Sequence, residues 1–305
     1  MRIEEAFRTG LKMLEESAVP SARIAAEVLL MHTLACDRAY LYAHPERHLS
    51  EAEQTGYACC LQQRAGGKPT QYITGHQEFW GLDFRVTTEV LIPRPETEHV
   101  VERAVELGQA MAAERAPAIV DVGTGSGCIA VAASRELPRA RVLGTDISEG
   151  ALRVAAENAR RLAPQARFCR CDLLAAVAGR SVDIVVSNPP YVPTTAAAGL
   201  QREIREHEPH QAVFAGPQGM EVYEALVPEA ARVLRPGGWV VFELSYNTVE
   251  RVRALFDERW SEVEVRPDLA GIPRVGSAQL RVMSGEFRQP SGRSLTPGQL
   301  LTPNS

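Results

Sequence analysis

The chain has 305 residues, 45% of them hydrophobic and 23% charged, which leaves room for one full core and a smaller domain. Its formal net charge is −5, and no basic run interleaved with aromatics marks a nucleic-acid groove, so a basic protein partner suits it better than DNA. No apolar stretch approaches the ~20 residues that span a bilayer, and the acidic start Met1-Arg2-Ile3-Glu4-Glu5 lacks the apolar core of a secretory signal. The expected location is therefore the cytoplasm, with no membrane partner.

Residues 1 to about 67 read as helices. Ile3, Phe7, Leu11 and Leu14 share one face, and Ile24, Val28, Leu29 and Leu34 form a second apolar stripe after Pro20-Ser21. Ser50-Glu51-Ala52-Glu53 has the pattern of a capping box opening a third helix, which Gly66-Gly67 stops. A hairpin is predicted from His76–Trp80 and Leu82–Val86 around Gly81, and Pro95 suits the first turn of a helix over Glu96–Leu107. From Ala118, strands predicted at 118–122, 141–145, 166–170 and 182–186 alternate with helices. Trp239–Leu244 follows the turn Arg235-Pro236-Gly237-Gly238, and Glu262–Arg266 with Ala278–Met283 should make an antiparallel edge. The organisation expected is a helical domain over 1–75, a hairpin linker over 76–95, an α/β domain over 96–284 and a disordered tail over 285–305. Thr194–Gln218, long and punctuated by Pro and Gly, is a candidate lid.

The six cysteines form no Cys-x-x-Cys pair and have no histidine at zinc spacing, so they read as reduced small hydrophobes. His207 and His210 flank Glu208-Pro209, a pattern more often solvated than metal-binding. No metal is expected.

Chemistry concentrates at two strand ends. After the buried run Ala118–Val122 come Gly123-Thr124-Gly125-Ser126-Gly127 and a small-residue helix, a spacing that brings backbone close to a ligand at a helix N-terminus. The next strand ends at Asp146, whose carboxylate can accept both hydroxyls of a ribose. Taken alone, these features fit NAD and S-adenosylmethionine equally. Three details favour S-adenosylmethionine. The glycines alternate instead of following the dinucleotide spacing, Asp121 stands just before the loop to orient it and meet a ligand amino group, and Asp172 with Leu173 follows the third strand beside an adenine. NAD remains the runner-up.

The second strand end is Ser187-Asn188-Pro189-Pro190-Tyr191, directly after Val182–Val186. Neither proline has an N–H, so the ladder stops there, and the Asn188 side-chain oxygen and the Pro189 carbonyl become adjacent acceptors. Two acceptors side by side suit an –NH2 group. Asn188, Pro189 and Tyr191 are the expected catalytic residues, with Tyr191 packing on the amide plane and excluding water.

With these motifs in place the chain resembles the HemK/PrmC family, the release factor glutamine methyltransferases. The likeness also rests on Gly67–Gly75, Glu78-Phe79-Trp80-Gly81, Leu91-Ile92-Pro93-Arg94-Pro95-Glu96-Thr97-Glu98, Glu208-Pro209 and Gly271–Val275, in the family's order. It implies a doubly wound, mostly parallel methyltransferase sheet of Rossmann-like type with an antiparallel edge strand and a small N-terminal helical domain. It also implies S-adenosylmethionine as cofactor and N5-methylation of the glutamine in the Gly-Gly-Gln loop of class I peptide-chain release factors. The cofactor set is then Gly123, Thr124, Gly125, Ser126, Gly127, Asp146, Asp172, Leu173 and Asn188. The substrate set is Asn188, Pro189, Pro190, Tyr191 and Arg94, although an arginine at the start of a helix serves equally as a structural group. Leu173 stands where many members carry tryptophan, and Leu244-Ser245-Tyr246-Asn247-Thr248 replaces a run through glycine to glutamine after Glu243. A monomer is expected. The strongest rival is a nucleic-acid amino methyltransferase acting on adenine N6 or guanine N2, which uses the same turn on an extruded base. A non-catalytic cofactor-binding module would have no need of Asn188 and Tyr191.

Overall fold

Helices and hairpin come first along the chain, and the sheet follows. The computed structural model describes residues 1–282, so the predicted tail, Met283 and the end of the predicted α/β domain lie outside the described residues. Helices α1 (Ile3–Glu16), α2 (Ala22–Leu34), α3 (Arg38–Ala43), α4 (Glu51–Ala65) and α5 (Thr70–Thr74) pack around Leu14, Leu29, Leu30 and Tyr57. The Ser50 capping box is present: Glu53 N–H donates to Ser50 Oγ at 3.3 Å and Ser50 N–H to Glu53 Oε2 at 2.8 Å. The stripe predicted on α2 is rotated. Ile24 is 57% exposed, and the buried face runs through Ala22, Ala25, Ala26, Leu29 and Leu30. Small alanines let α2 approach its neighbours closely, which the hydrophobic residues alone do not reveal.

Strands β1 (His76–Phe79) and β2 (Leu82–Arg85) form the expected hairpin. Its two-residue loop, Trp80 and Gly81, has φ of 56° and 67°, the positive pair that matches strand twist. A 3-10 turn at Pro95–Thr97 then leads into α6 (Glu98–Ala112).

The central sheet alternates with helices: β3 (Ala118–Val122), α7 (Cys128–Glu136), β4 (Arg141–Asp146), α8 (Glu149–Leu162), β5 (Arg167–Arg170) and β6 (Val182–Ser187). Beyond β6 lie β7 (Val192–Pro193), α9 (Arg202–His207), α10 (His210–Val213), β8 (Phe214–Gly216), α11 (Glu221–Val233), β9 (Leu234–Glu243), α12 (Val249–Arg253), β10 (Trp260–Pro267) and β11 (Pro273–Leu280). The sheet order is β10-β11-β9-β6-β3-β4-β5, parallel except for β11, which runs antiparallel to both neighbours. This is the doubly wound sheet expected from the sequence. Both faces are covered, so alternate residues enter opposite cores: Ile119, Ile184 and Val241 pack toward α6 and α7, while Val120, Val185 and Val240 pack toward α11.

Three boundaries differ from expectation. Arg235–Gly238 lies inside β9, where the pairing with β6 jumps from Leu234 to Trp239. The last strand begins at Pro273, not Ala278, and sits between β9 and the edge strand β10. The predicted lid contains structure of its own: a 3-10 helix at Thr194–Gly199, α9, α10 and β8, which pairs with β7. No helix among the described residues is long and apolar enough to cross a membrane.

The rotated face of α2 gives a direct test. Leu29→Ala should cost about 2–5 kcal/mol in urea unfolding, whereas Ile24→Ala should stay within about 0.5 kcal/mol.

Candidate active site

The chain leaves β3 toward β4 and β5 on one side and returns to β6 on the other, so a crevice opens above the carboxyl ends of β3 and β6. A cleft of about 1010 Å³, mouth included, occupies that place. Gly123 and Gly125 line it, at φ of 68° and 55°, and a Cβ added to Gly123 would meet nothing within 4 Å. Asp146 faces them. Its Oδ2 accepts from Gly125 N–H at 3.0 Å and its Oδ1 from Ser148 N–H at 2.9 Å, leaving a lone pair on each oxygen. Asp172 and Leu173 complete that wall. Leu173 is in the left-handed region at φ 44°, and its carbonyl accepts from Thr145 Oγ1 at 2.9 Å.

Thr124, Ser126 and Gly127 shape the loop without lining the cleft. Thr124 Oγ1 donates to Asp121 Oδ2 at 2.6 Å, the Ser126 carbonyl accepts from Asn158 Nδ2 at 2.9 Å, and Gly127 caps α7 at φ 81°. Asp121 Oδ2 also accepts from Ala130 N–H at 3.1 Å, so one fully buried carboxylate ties strand, loop and helix together. Its Oδ1 is buried with no partner among the described residues, an acceptor left for a cationic group.

On the opposite wall stand Asn188, Pro189 and Pro190. Asn188 Nδ2 donates to Thr97 Oγ1 at 3.0 Å, which leaves Oδ1 as the amide atom free to take a ligand proton. Tyr191 is not on the cleft wall. Its hydroxyl turns to Glu243 Oε1 at 3.4 Å, and burial pushes its phenol above the ordinary range, so it keeps its proton. Arg94 is also off the wall and donates to Glu208 Oε1 at 2.6 Å.

Comparison with known proteins fits this arrangement. Residues 5–75 match the family described as the PrmC N-terminal domain, and 104–207 the methyltransferase small domain. A release factor glutamine methyltransferase of Koribacter versatilis is 48% identical over 276 residues, covering 90% of this chain and 97% of that protein. The chain belongs to the release factor glutamine methyltransferase family. Another member, from Moorella thermoacetica, is 41% identical over 278 residues, covering 90% and 97% of the two chains. Among solved structures, the hMettl16 catalytic domain in complex with MAT2A 3'UTR hairpin 6 superposes with a TM-score of 0.51 at 17% identity, over 72% of this chain and 81% of that one. At that identity the likeness shows the fold alone.

As a member of this family the chain is an S-adenosylmethionine-dependent methyltransferase, and its cleft fits that cofactor better than NAD. Glu89, Asp146 and Asp172 line it, and among the described residues no lysine or arginine does. A dinucleotide would bring two phosphate charges against three carboxylates, whereas a sulfonium cofactor brings cations. The orphaned Asp121 Oδ1 adds a further acceptor of the same sign.

Two functional residues were missed in the sequence. Thr97 and Glu243 served only as family landmarks, yet Thr97 Oγ1 donates to Glu243 Oε2 at 2.6 Å directly behind Asn188. The available signal was Glu243 itself, a carboxylate closing the apolar run Trp239–Phe242 as Asp146 closes its own strand.

Burial pushes the carboxyls of Asp121 and Glu243 up to about 7 each. For Asp121 the bonds from Thr124 and Ala130 oppose this and Asp146 adds to it; for Glu243 Thr97, Arg274 and Tyr191 oppose it and Glu96 adds. From about pH 4 to about pH 7 the fold holds protons that the unfolded chain has lost, so these groups make stability fall as pH rises through that window. Asp121→Asn and Glu243→Gln should each flatten the decline in Tm between about pH 4 and about pH 7. Melting curves across that range check it, and slopes equal to wild type would refute the assignment.

Proposed function

We propose that this chain transfers a methyl group from S-adenosylmethionine to the side-chain amide nitrogen, N5, of the glutamine in the Gly-Gly-Gln segment of class I peptide-chain release factors. The observation that carries the reading is the Asn188 carboxamide, its NH2 engaged by Thr97 and its oxygen left free on the cleft wall beside Pro189. When bound, the cofactor supplies an electrophilic methyl group on a sulfonium. Asp146 would accept its ribose hydroxyls, Asp172 its adenine amino group and the unpartnered Oδ1 of Asp121 its ammonium, with Leu173 as an apolar wall.

A glutamine amide nitrogen is a poor nucleophile because its lone pair is delocalised into the carbonyl. Asn188 Oδ1 and the Pro189 carbonyl accept both of its N–H hydrogens. This fixes the nitrogen's direction and stabilises positive charge that grows on it as the new bond forms. The proton leaves to water afterwards, when the nitrogen has become strongly acidic. Glu243 lies behind Thr97 and takes no part as a base. The Tyr191 ring shields the turn from water at its side.

Adenine N6 or guanine N2 would satisfy the same two acceptors, but an acidic cleft is a poor host for a phosphate backbone. We place the enzyme in the cytoplasm with its release-factor substrates, acting as a monomer. Residues 1–75 form its helical unit, supported by their own apolar cluster, with 76–95 as linker and the catalytic unit beginning at 96.

The test offers labelled S-adenosylmethionine in parallel to a release factor, its Gln→Ala loop variant and DNA. Label is expected only in the intact factor, and label in DNA alone would replace this reading. Asn188→Ala should lower kcat about 10²–10³-fold with cofactor affinity retained. Asp146→Ala should weaken cofactor binding in calorimetry, and an unchanged Kd would remove Asp146 from the ribose site.

A further inference from the structure

The amide reading requires one end of a carboxamide to face the substrate. Asparagine is nearly symmetric in shape, so something in the fold must distinguish its oxygen from its nitrogen. The position of Asn188 favours neither: it is the first residue after β6, where the chain has left the ladder. The Thr97 hydroxyl supplies the distinction. It has one proton, and while Glu243 is ionised that proton is committed to Glu243 Oε2 at 2.6 Å, a length typical of a hydroxyl donating to a carboxylate. Toward Asn188 it therefore presents a lone pair, which accepts from Nδ2 at 3.0 Å. Turning the amide over would set two acceptors against each other at that distance, against a hydroxyl that is itself buried.

The rest of the surroundings hold this direction of donation in place. Thr97 and Glu243 are each 2% exposed, so water does not compete for the hydroxyl. Glu243 closes β9, the parallel neighbour of β6, and Ser187 pairs with Phe242 in the register, which brings Asn188 and Glu243 to the same level of the sheet. The Glu243 main-chain carbonyl is held by Tyr223 Oη at 2.7 Å, so the carboxylate is anchored from behind. Tyr191 donates to its other oxygen. Both polar side chains of the Asn188–Tyr191 turn thus answer to one carboxylate.

We infer that Thr97, held by Glu243, is a positioning residue for the transfer reaction: it fixes the Asn188 carboxamide with Nδ2 inward and Oδ1 toward the substrate amide. The inference rests on the reading of Asn188 Oδ1 as an acceptor for the substrate –NH2 group.

Thr97→Val removes the hydroxyl at nearly constant volume and frees the amide to turn. The expected kcat falls about ten- to hundredfold. The release-factor KM and the cofactor Kd should move by less than about threefold, since neither is held by Thr97. Thr97→Ser restores donor and acceptor and should recover most of the rate. Adding Thr97→Val to Asn188→Ala should change kcat by less than about twofold, because the group that Thr97 orients is already gone. Melting curves accompany every variant, and Thr97→Ala stands in if the valine variant does not fold.

A wild-type kcat in Thr97→Val while Asn188→Ala is slow overturns this inference and leaves the amide reading standing. So does a loss that multiplies with that of Asn188→Ala, or a serine variant as slow as the valine one. A wild-type kcat in Asn188→Ala overturns the amide reading itself.

Discussion

A carboxylate buried near the end of a strand must collect hydrogen-bond donors, because an unsatisfied charge in the interior is far costlier than the bonds that relieve it. Two such groups, Asp121 and Glu243, and the half-buried Asp146 organise this molecule. Asp121 in β3 gathers Thr124 and Ala130, Asp146 at the end of β4 gathers Gly125 and Ser148, and Glu243 at the end of β9 gathers Thr97 and Tyr191. Each converts a loop that would otherwise be free into one with a fixed backbone or a fixed side-chain direction. Between β9 and β3 lies β6, which ends at Ser187 and leads directly into the Asn188–Tyr191 turn. The Asn188 amide is therefore flanked on both sides by strands whose ends are already pinned.

Asp146 belongs also to the acidic lining of the cleft. A site walled by Glu89, Asp146 and Asp172 repels phosphates and attracts cations, so its charge favours a cationic cofactor. Glycine geometry alone does not make that selection, since a tight turn at a helix N-terminus suits phosphate equally well. The discrimination comes from charge, and charge at a site is a property of which residues converge there.

That is where legibility in the sequence ends. Strand β3 and the ends of β4 and β6 could be read because apolar runs bounded by Gly, Asp or Asn-Pro are local patterns, and the order of those ends placed the loops at one edge of the sheet. The face of α2 could not, because alanines carry its contacts and Ile24 is a hydrophobe turned outward. The Arg235–Gly238 turn signal was real but was absorbed into β9 as an irregularity in its pairing with β6. The Tyr191 hydroxyl reaches Glu243, 52 residues away, a contact that the Asn-Pro-Pro-Tyr run does not announce. The Thr97 bonds to Asn188 and Glu243 cross 91 and 146 residues, distances over which no single-chain periodicity carries information.

The segment over the cleft is tied down in a way that joins these parts. Helix α9 meets the N-terminal helices through the Arg64–Glu203 ion pair, with Arg64 itself buried, and Glu208 is held by Arg94. Residues just beyond, Pro209, Gln211 and Ala212, form one side of the cleft. Buried pairs of this kind are weak evidence of stability, but losing one partner leaves a charge in the interior, so they fix position strongly. Arg94 and Thr97 are three residues apart, on either side of the 3-10 turn's first two residues. Arg94 lies in extended backbone just before the turn, at φ −100° and ψ 142°, and reaches the segment over the cleft, while Thr97 at the turn's end reaches Asn188. A single stretch of chain between hairpin and α6 thus sets both the wall of the cleft and the direction of the Asn188 amide, which is why its prolines matter: they leave that stretch few other conformations to adopt.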